Sequence, residues 1–241
     1  MINAAALSSV EASDTAPDRA RAVNATAPGH IAAICEQLGM PLIHISTDYV
    51  FGAETLRPWR ESDPASPLNS YGRLKVEGER SVLAAGSRVC VARVAWLFGD
   101  GNDFIANLLR SGADTVRVAY DQIGSPIPIF LLAERLLALA ARMNAGEAVP
   151  RVLHLAGSPP VSRADWVASA LEALQRSGQK TPELVRVPMT DFIGAARRPN
   201  YSALDCSLAT EFFGEELDWR ISTAKPETFA EAIMPAQDQL R

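Results

Sequence analysis

Tyr71 and Lys75 stand four residues apart in Tyr-Gly-Arg-Leu-Lys, a spacing that places both side chains on one face of a helix. An ammonium beside a phenol stabilises the phenolate, so a group whose free pKa is about 10 exchanges protons closer to neutrality. Upstream, Ser46-Thr47-Asp48-Tyr49-Val50-Phe51 puts the Thr47 hydroxyl at a strand end, where it can hold a carbonyl oxygen beside that phenol. Together these groups form a proton donor for carbonyl chemistry. In a chain of 241 residues with 4 Tyr, chance produces such a spacing in roughly one chain in twenty, so context has to carry the reading.

The bulk properties narrow that context. Hydrophobic content of 48% and charged content of 21% are ordinary for a soluble globular protein. A net charge of −5 argues against a general nucleic-acid binder, although locally clustered arginines can still hold an anionic substrate. Cys35, Cys90 and Cys206 are odd in number and far apart, and read as buried thiols of a reducing compartment. His30, His44 and His154 share no ligand spacing, so no metal set is expected from them. No apolar run approaches the roughly 20 residues of a membrane span, and no signal peptide is evident, so no membrane association and a cytoplasmic location are expected.

The elements that must position the Tyr/Lys pair alternate. Met1-Ile-Asn-Ala-Ala-Ala6 looks like the end of a buried strand. Residues 17–39 follow as a helix, with Pro17 suited to its first turn and Gly39 to its stop. Pro41 to Ser46 is an apolar strand, 57–69 a polar Pro-rich loop, Ser70 to Ala85 a helix carrying Tyr71 and Lys75, and Arg88 to Trp96 another strand. Helices near 102–112, 130–144 and 162–176 alternate with strands at 115–119 and 151–156, and the last 60 residues are less regular. Such alternation predicts an α/β doubly wound parallel sheet, Rossmann-like, with a smaller C-terminal lobe. The expected division is a partial nucleotide-binding domain over 1–120 and a mainly substrate-binding lobe over 121–241, with 146–165 returning to the sheet. Ligands of such sheets bind at the carboxyl ends of strands. Asn3 to Ser8, Ser46-Thr47-Asp48 and Trp96 all fall at predicted strand ends, so they converge with the Tyr/Lys helix on one crevice.

At these residues the chain resembles the extended short-chain dehydrogenase/reductases, and within them the dTDP-4-dehydrorhamnose reductases. The likeness lies in Ile2-Asn-Ala-Ala-Ala6, Val23-Asn-Ala-Thr-Ala-Pro28, His44 to Phe51, Pro67 to Lys75, Ala95-Trp-Leu-Phe-Gly99, Asp121-Gln-Ile-Gly-Ser-Pro126 and Arg198 to Asp205. The resemblance implies NADPH-dependent reduction (with NADH as the other candidate donor) of the 4-keto group of a dTDP-sugar. In it, Tyr71 is the general acid, Lys75 lowers its pKa and binds the nicotinamide ribose, and Thr47 holds the keto oxygen. Cofactor contacts are expected from Ala5, Ala6, Leu7 and Ser8 with Tyr71 and Lys75, and substrate contacts from Thr47, Asp48, Trp96, Arg198 and Asn200. Apart from the resemblance Trp96 reads first as a buried strand aromatic, Asn24 as a support for the active-site backbone or a water or as a helix cap or packing residue, and Arg197 with Arg198 as a pyrophosphate grip or a solvated surface pair. A homodimer, and a Mg2+ ion at its interface, are compatible with the resemblance but are not written in the sequence.

The family pattern opens with a strand, a Gly-x-x-Gly-x-x-Gly turn and a helix that receives the cofactor pyrophosphate. None of the 15 glycines here forms that turn. Three readings account for this: a start upstream of Met1, a separate chain supplying the missing half, or a non-catalytic remnant that binds sugar nucleotides or a partner. The last is the alternative function, in the manner of the resembling beta subunit of methionine adenosyltransferase. An epimerase or dehydratase is weaker, because Asp48 has no adjacent Glu and the Asp121 to Pro126 block is unusual in those enzymes.

Overall fold

Leu42–Thr47 reads Leu-Ile-His-Ile-Ser-Thr and Val89–Val94 reads Val-Cys-Val-Ala-Arg-Val. Near-continuous apolar runs of this kind suit strands covered on both faces. In the computed structural model, which describes residues 1–192 and 196–233, these two are the inner strands of a parallel sheet. The strands in chain order are β1 (Ile2–Asn3), β2 (Leu42–Thr47), β3 (Val89–Val94), β4 (Leu97–Phe98), β5 (Thr115–Ala119), β6 (Ile123–Gly124), β7 (Ile127–Pro128), β8 (Val152–His154), β9 (Val161–Ser162) and β10 (Glu183–Val187). The central sheet has the order β1-β2-β3-β8 with every pair parallel, and β5 pairs in parallel with β10 in a second, two-stranded sheet.

The helices are α1 (Val10–Thr15), α2 (Pro17–Arg21), α3 (Ala27–Gln37), α4 (Ser70–Ala85), α5 (Phe104–Arg110), α6 (Ile129–Asn144), α7 (Arg163–Arg176), α8 (Ser207–Phe213), α9 (Arg220–Thr223) and α10 (Pro226–Ile233). α3 and α4 cover one face of the central sheet, with Ala32, Cys35 and Val82 against Leu42, Val89 and Val91. On the other face α6 presents Leu132, Leu136, Leu139 and Met143, a stripe at helical spacing, to Ile43, Cys90, Ala92 and Leu153. Full burial of each such side chain contributes about 1.5–3 kcal/mol. The second sheet carries its own core, in which Ile105, Val118, Trp166, Leu171, Trp219 and Phe229 meet. Residues 234–241, the end of the expected lobe, lie outside the described residues. Among the described residues no helix is long and apolar enough to cross a membrane.

The expected helix over 17–39 is interrupted. α2 passes into a π-helical turn at Ala22–Thr26 before α3 begins. Pro28 explains the break, because it has no N–H for the Asn24 carbonyl and its ring crowds that carbonyl. The widened turn sets the Asn24 carbonyl against α4 at Gly78. α1 was not expected: its six residues carry too little apolar periodicity to read, although Ser9 caps it by accepting from Ala12 N–H at 3.0 Å. α4, β5 and α6 lie where the sequence pattern puts them.

Parallel strands end on one edge. The ends of β1 and β2, and the chain just beyond β3, therefore open together into a crevice that β5 of the second sheet also lines.

Candidate active site

The crevice has a volume of about 1170 Å3, and its wall includes Thr47, Asp48, Tyr71, Lys75, Trp96 and Arg198. Thr47 closes β2 and caps the short turn that follows. Its Oγ1 accepts from Tyr49 N–H at 3.2 Å and donates to Asp48 Oδ1 at 3.0 Å. Asp48 is buried, with Oδ2 accepting from Ser202 Oγ at 2.6 Å. Burial pushes its carboxyl up to about 6, against the pull of Ser202, Thr47 and the Arg163 charge.

α4 brings Tyr71 and Lys75 to the same wall. Asn69 caps it by accepting from Gly72 N–H at 2.8 Å. A Cβ at residue 72 would stand 2.2 Å from the Tyr49 carbonyl oxygen, so the glycine after Tyr71 permits the close approach of α4 to the β2 turn. The Tyr71 ring meets Tyr49 edge-to-face, with centroids 6.2 Å apart. Lys75 is 1% exposed; Nζ donates to the Ile45 carbonyl at 2.7 Å and stands 3.4 Å from His44 Nε2.

The electrostatics correct one expectation. Burial drives the Tyr71 phenol well above its ordinary value, while the Thr47 hydroxyl pulls it partly back. Lys75 does not bring it toward neutrality, because its ammonium is directed to Ile45 and His44 and is itself lowered by burial to about 8. Desolvation outweighs the charge attraction that the spacing alone suggests.

The other expected residues divide. Ala6 and Ser8 line the crevice, joined by Ala4 and Ser9, whereas Ala5 and Leu7 do not. The Leu7 backbone is clamped by Asn24, whose Oδ1 accepts from Leu7 N–H at 2.9 Å and whose Nδ2 donates to its carbonyl at 3.0 Å. Of the readings open for Asn24, the structure supports the backbone one. Arg198 reaches the crevice but forms an ion pair with Glu11 of α1, spanning its mouth. Arg197 and Asn200 are exposed and line an adjoining hollow of about 840 Å3, which shares Arg198 with the crevice.

Trp96 turns the chain out of β3 with φ 41°. Its indole is not a bare platform: the Arg163 guanidinium lies 3.8 Å from the ring centroid, and Gly124 is so close that a Cβ there would stand 2.2 Å from Cε2. Arg163 was not found from sequence. Its position at the start of α7 resembles any exposed helix arginine, and only the fold folds it inward, with Nε donating to Gln122 Oε1 at 2.6 Å. Burial lowers its pKa to about 10. Gln122 and Ser202 fall inside two of the blocks that carry the resemblance, which is the signal that could have found them.

Several polar atoms of this wall keep unused hydrogen-bonding capacity. Among the described residues Ser46 Oγ, Trp96 Nε1, Gln122 Nε2 and Trp166 Nε1 are buried without a partner, and all four residues line the crevice. Orphans gathered at one place fit a polar ligand. Ser46, Tyr71 and Lys75, at the floor, suit the nicotinamide–ribose end of a nicotinamide cofactor. Among the described residues no cluster of three or more His, Cys, Asp or Glu is placed to hold a metal ion.

A family model described as RmlD substrate binding domain matches residues 1–229. The dTDP-4-dehydrorhamnose reductase of Mycolicibacterium smegmatis is 38% identical over 227 residues, covering 91% of this chain and 67% of that protein. A crystal structure of a dTDP-4-dehydrorhamnose reductase from Clostridium acetobutylicum superposes with a TM-score of 0.82 at 29% identity, covering 96% of this chain and 79% of the other. That of Bacillus anthracis, in complex with NADP, has a TM-score of 0.81 at 25% identity, covering 95% and 78%.

Proposed function

Because this chain belongs to the RmlD substrate binding domain family, a family of sugar-nucleotide reductases, we propose that it serves the NADPH-dependent reduction of dTDP-4-dehydro-L-rhamnose to dTDP-L-rhamnose. The observation that carries the reading is the junction of Thr47, Tyr71 and Lys75 on one wall of the crevice, inside a match that runs through the whole described sheet.

The bound cofactor supplies the hydride. The residues of this chain do the rest. Tyr71 would hand its proton to the C4 oxygen as negative charge develops there, and the Thr47 hydroxyl, once turned away from Asp48 Oδ1, would be a second donor to that oxygen. A phenol raised by burial stays protonated until that demand arises, which suits a general acid. Lys75 stands behind Tyr71 as the next proton source, and its lowered pKa makes the transfer less costly. Asp48, tied to Thr47 and Ser202, orients the threonine hydroxyl and offers an acceptor to the sugar. Arg198, shared between the crevice and the neighbouring hollow, is the group we assign to the nucleotide diphosphate, guanidinium suiting phosphate oxygens.

The test is NADPH consumption with dTDP-4-dehydro-L-rhamnose by the chain and by its Tyr71→Phe variant. Removal of the acid is expected to lower kcat by about 10^2–10^4-fold with substrate binding retained; equal turnover in the two proteins overturns the assignment.

A further inference from the structure

Beneath the crevice, on the far side of Lys75, lies a hydrogen-bonding conflict. His44 is fully buried, and its ring lies between two side chains: Asn3 Nδ2 is 3.2 Å from Nδ1, and Lys75 Nζ is 3.4 Å from Nε2. Both neighbours are donors when Lys75 is charged, whereas a neutral imidazole has one ring nitrogen that accepts. A doubly protonated ring would worsen the conflict, and burial together with the Lys75 charge holds His44 down at about 3. Nor does the amide turn without loss. Asn3 Oδ1 accepts from Ala5 N–H at 3.2 Å, and turning it would set two donors against each other.

Two arrangements satisfy both nitrogens of the ring, the first at the expense of the Ala5 bond. With Lys75 charged, the ring proton sits on Nδ1, Nε2 accepts from the ammonium, and Asn3 turns and releases Ala5. With Lys75 neutral, the ring proton sits on Nε2 and points at the Nζ lone pair. Nδ1 then accepts from Asn3 Nδ2, and Asn3 Oδ1 keeps Ala5. We infer that His44 is a positioning residue: it ties the loss of a proton from Lys75 to the tautomer of its own ring and, through Asn3, to the grip on the Ala5 backbone.

The other groups facing Lys75 leave this role to the ring. On α4 they are Tyr71, one turn before, and Glu79, one turn after; Glu79 is already matched by Arg93 of β3 at 3.0 and 2.8 Å. Asp48, at the end of β2, faces Tyr71 and Arg163. The catalytic consequence rests on the proposed reduction. The proton leaving Nζ replaces the one the Tyr71 phenol gives up, and the ring carries one proton before and after. Loss of the Nζ proton therefore leaves the buried floor uncharged, and the backbone beside the expected cofactor site tightens as the proton departs.

The test is an equilibrium titration followed by NMR on the full chain, with 15N-labelled histidine and 13Cε-labelled lysine. Lys180 and Lys225, both exposed, are changed to Arg so that Lys75 is the remaining lysine. The expected result is a His44 ring that stays neutral from about pH 6 to about pH 10 while its proton moves from Nδ1 to Nε2, with the Lys75 midpoint and well below the ordinary value of about 10.4. Asn3→Asp then holds Nδ1–H with an acceptor-only carboxylate, locks that tautomer, and raises the proton affinity of Lys75 by about tenfold or more. A single tautomer throughout the Lys75 titration, or an imidazolium above about pH 6, overturns the inference, and so does an unmoved Lys75 midpoint in folded Asn3→Asp protein. None of these readings needs turnover, so an inactive chain would remove the proposed function and leave this result standing.

Discussion

Two buried histidines sit on neighbouring parts of one sheet, and their surroundings differ in one respect. His154 on β8 has a donor on one side and an acceptor on the other: Arg93 Nη1 is 3.4 Å from Nε2, and the Asp205 carbonyl is 3.2 Å from Nδ1. Its ring can satisfy both with a single tautomer. The same cluster pairs Arg93 with Glu79 through two bonds and stacks the guanidinium over Phe51 at 5.1 Å. His44 on β2 has a donor on each side and can satisfy only one. The first column is closed and acts as scaffold. The second is under-satisfied, and it lies under Tyr71 and Lys75. Buried ingredients of the same kind thus become structure or chemistry according to whether their hydrogen bonds balance.

Mutations can break this contrast, beginning with the largest effect. Tyr71→Phe should remove two to four orders of magnitude of turnover while shifting the denaturant midpoint by less than about 1 kcal/mol in stability, since the ring and its packing remain. Arg93→Met should do the reverse. It leaves Glu79 charged and buried, at a cost of about 3–5 kcal/mol in chemical unfolding, and the double variant Arg93→Met/Glu79→Leu should recover most of that loss. If Tyr71→Phe unfolds the protein, or if Arg93→Met abolishes turnover at full stability, the division between the columns fails.

Acid sharpens it next. Both rings are held at about 3, below the ordinary histidine value of 6.5. A base whose folded pKa is depressed contributes nothing to pH dependence above 6.5, and stability is then lost as pH falls toward 3. Each ring adds a slope approaching 1.4 kcal/mol per pH unit across that window. His154→Gln should remove one such slope from a pH series of unfolding midpoints.

Asp48 has the opposite sign. Its folded pKa, about 6, lies above the ordinary carboxylate value of 3.8, so the ionised form is disfavoured and stability falls as pH rises between these values. Asp48→Asn is expected to be more stable by on the order of 1–3 kcal/mol at pH 8, with the gain fading toward pH 4. The smallest effect belongs to the mouth. Glu11→Gln loosens the exposed pair with Arg198, changing stability by less than about 1 kcal/mol and lowering KM for the dTDP-sugar by up to about fivefold, as the guanidinium becomes free for phosphate.

Much of this arrangement is legible before folding. α4 spans Ser70–Ala85 as its pattern predicts, and its Asn69 cap acts locally. The parallel sheet follows from alternating periodicities, and the convergence of Ala6, Thr47 and Trp96 follows from parallel strands ending on one edge. The π-helical turn is hidden in a regular apolar pattern, although Pro28 marks it. Arg163 and the exposure of Asn200 are not legible, since a helix-start arginine and a loop asparagine look alike whether they face a crevice or solvent.

The sequence by itself determined which groups share a helix face, which strand ends adjoin them and which family the blocks resemble; these are properties of spacing along the chain. Only the tertiary structure decided how those groups are charged. Burial, not the Tyr-to-Lys spacing, sends the Tyr71 phenol up and the Lys75 ammonium down. It is also the fold that sets a donor on either side of His44 and an acceptor beside His154. Desolvation and hydrogen-bond balance depend on every neighbour in space, and neighbours in space are what a linear order of residues does not state.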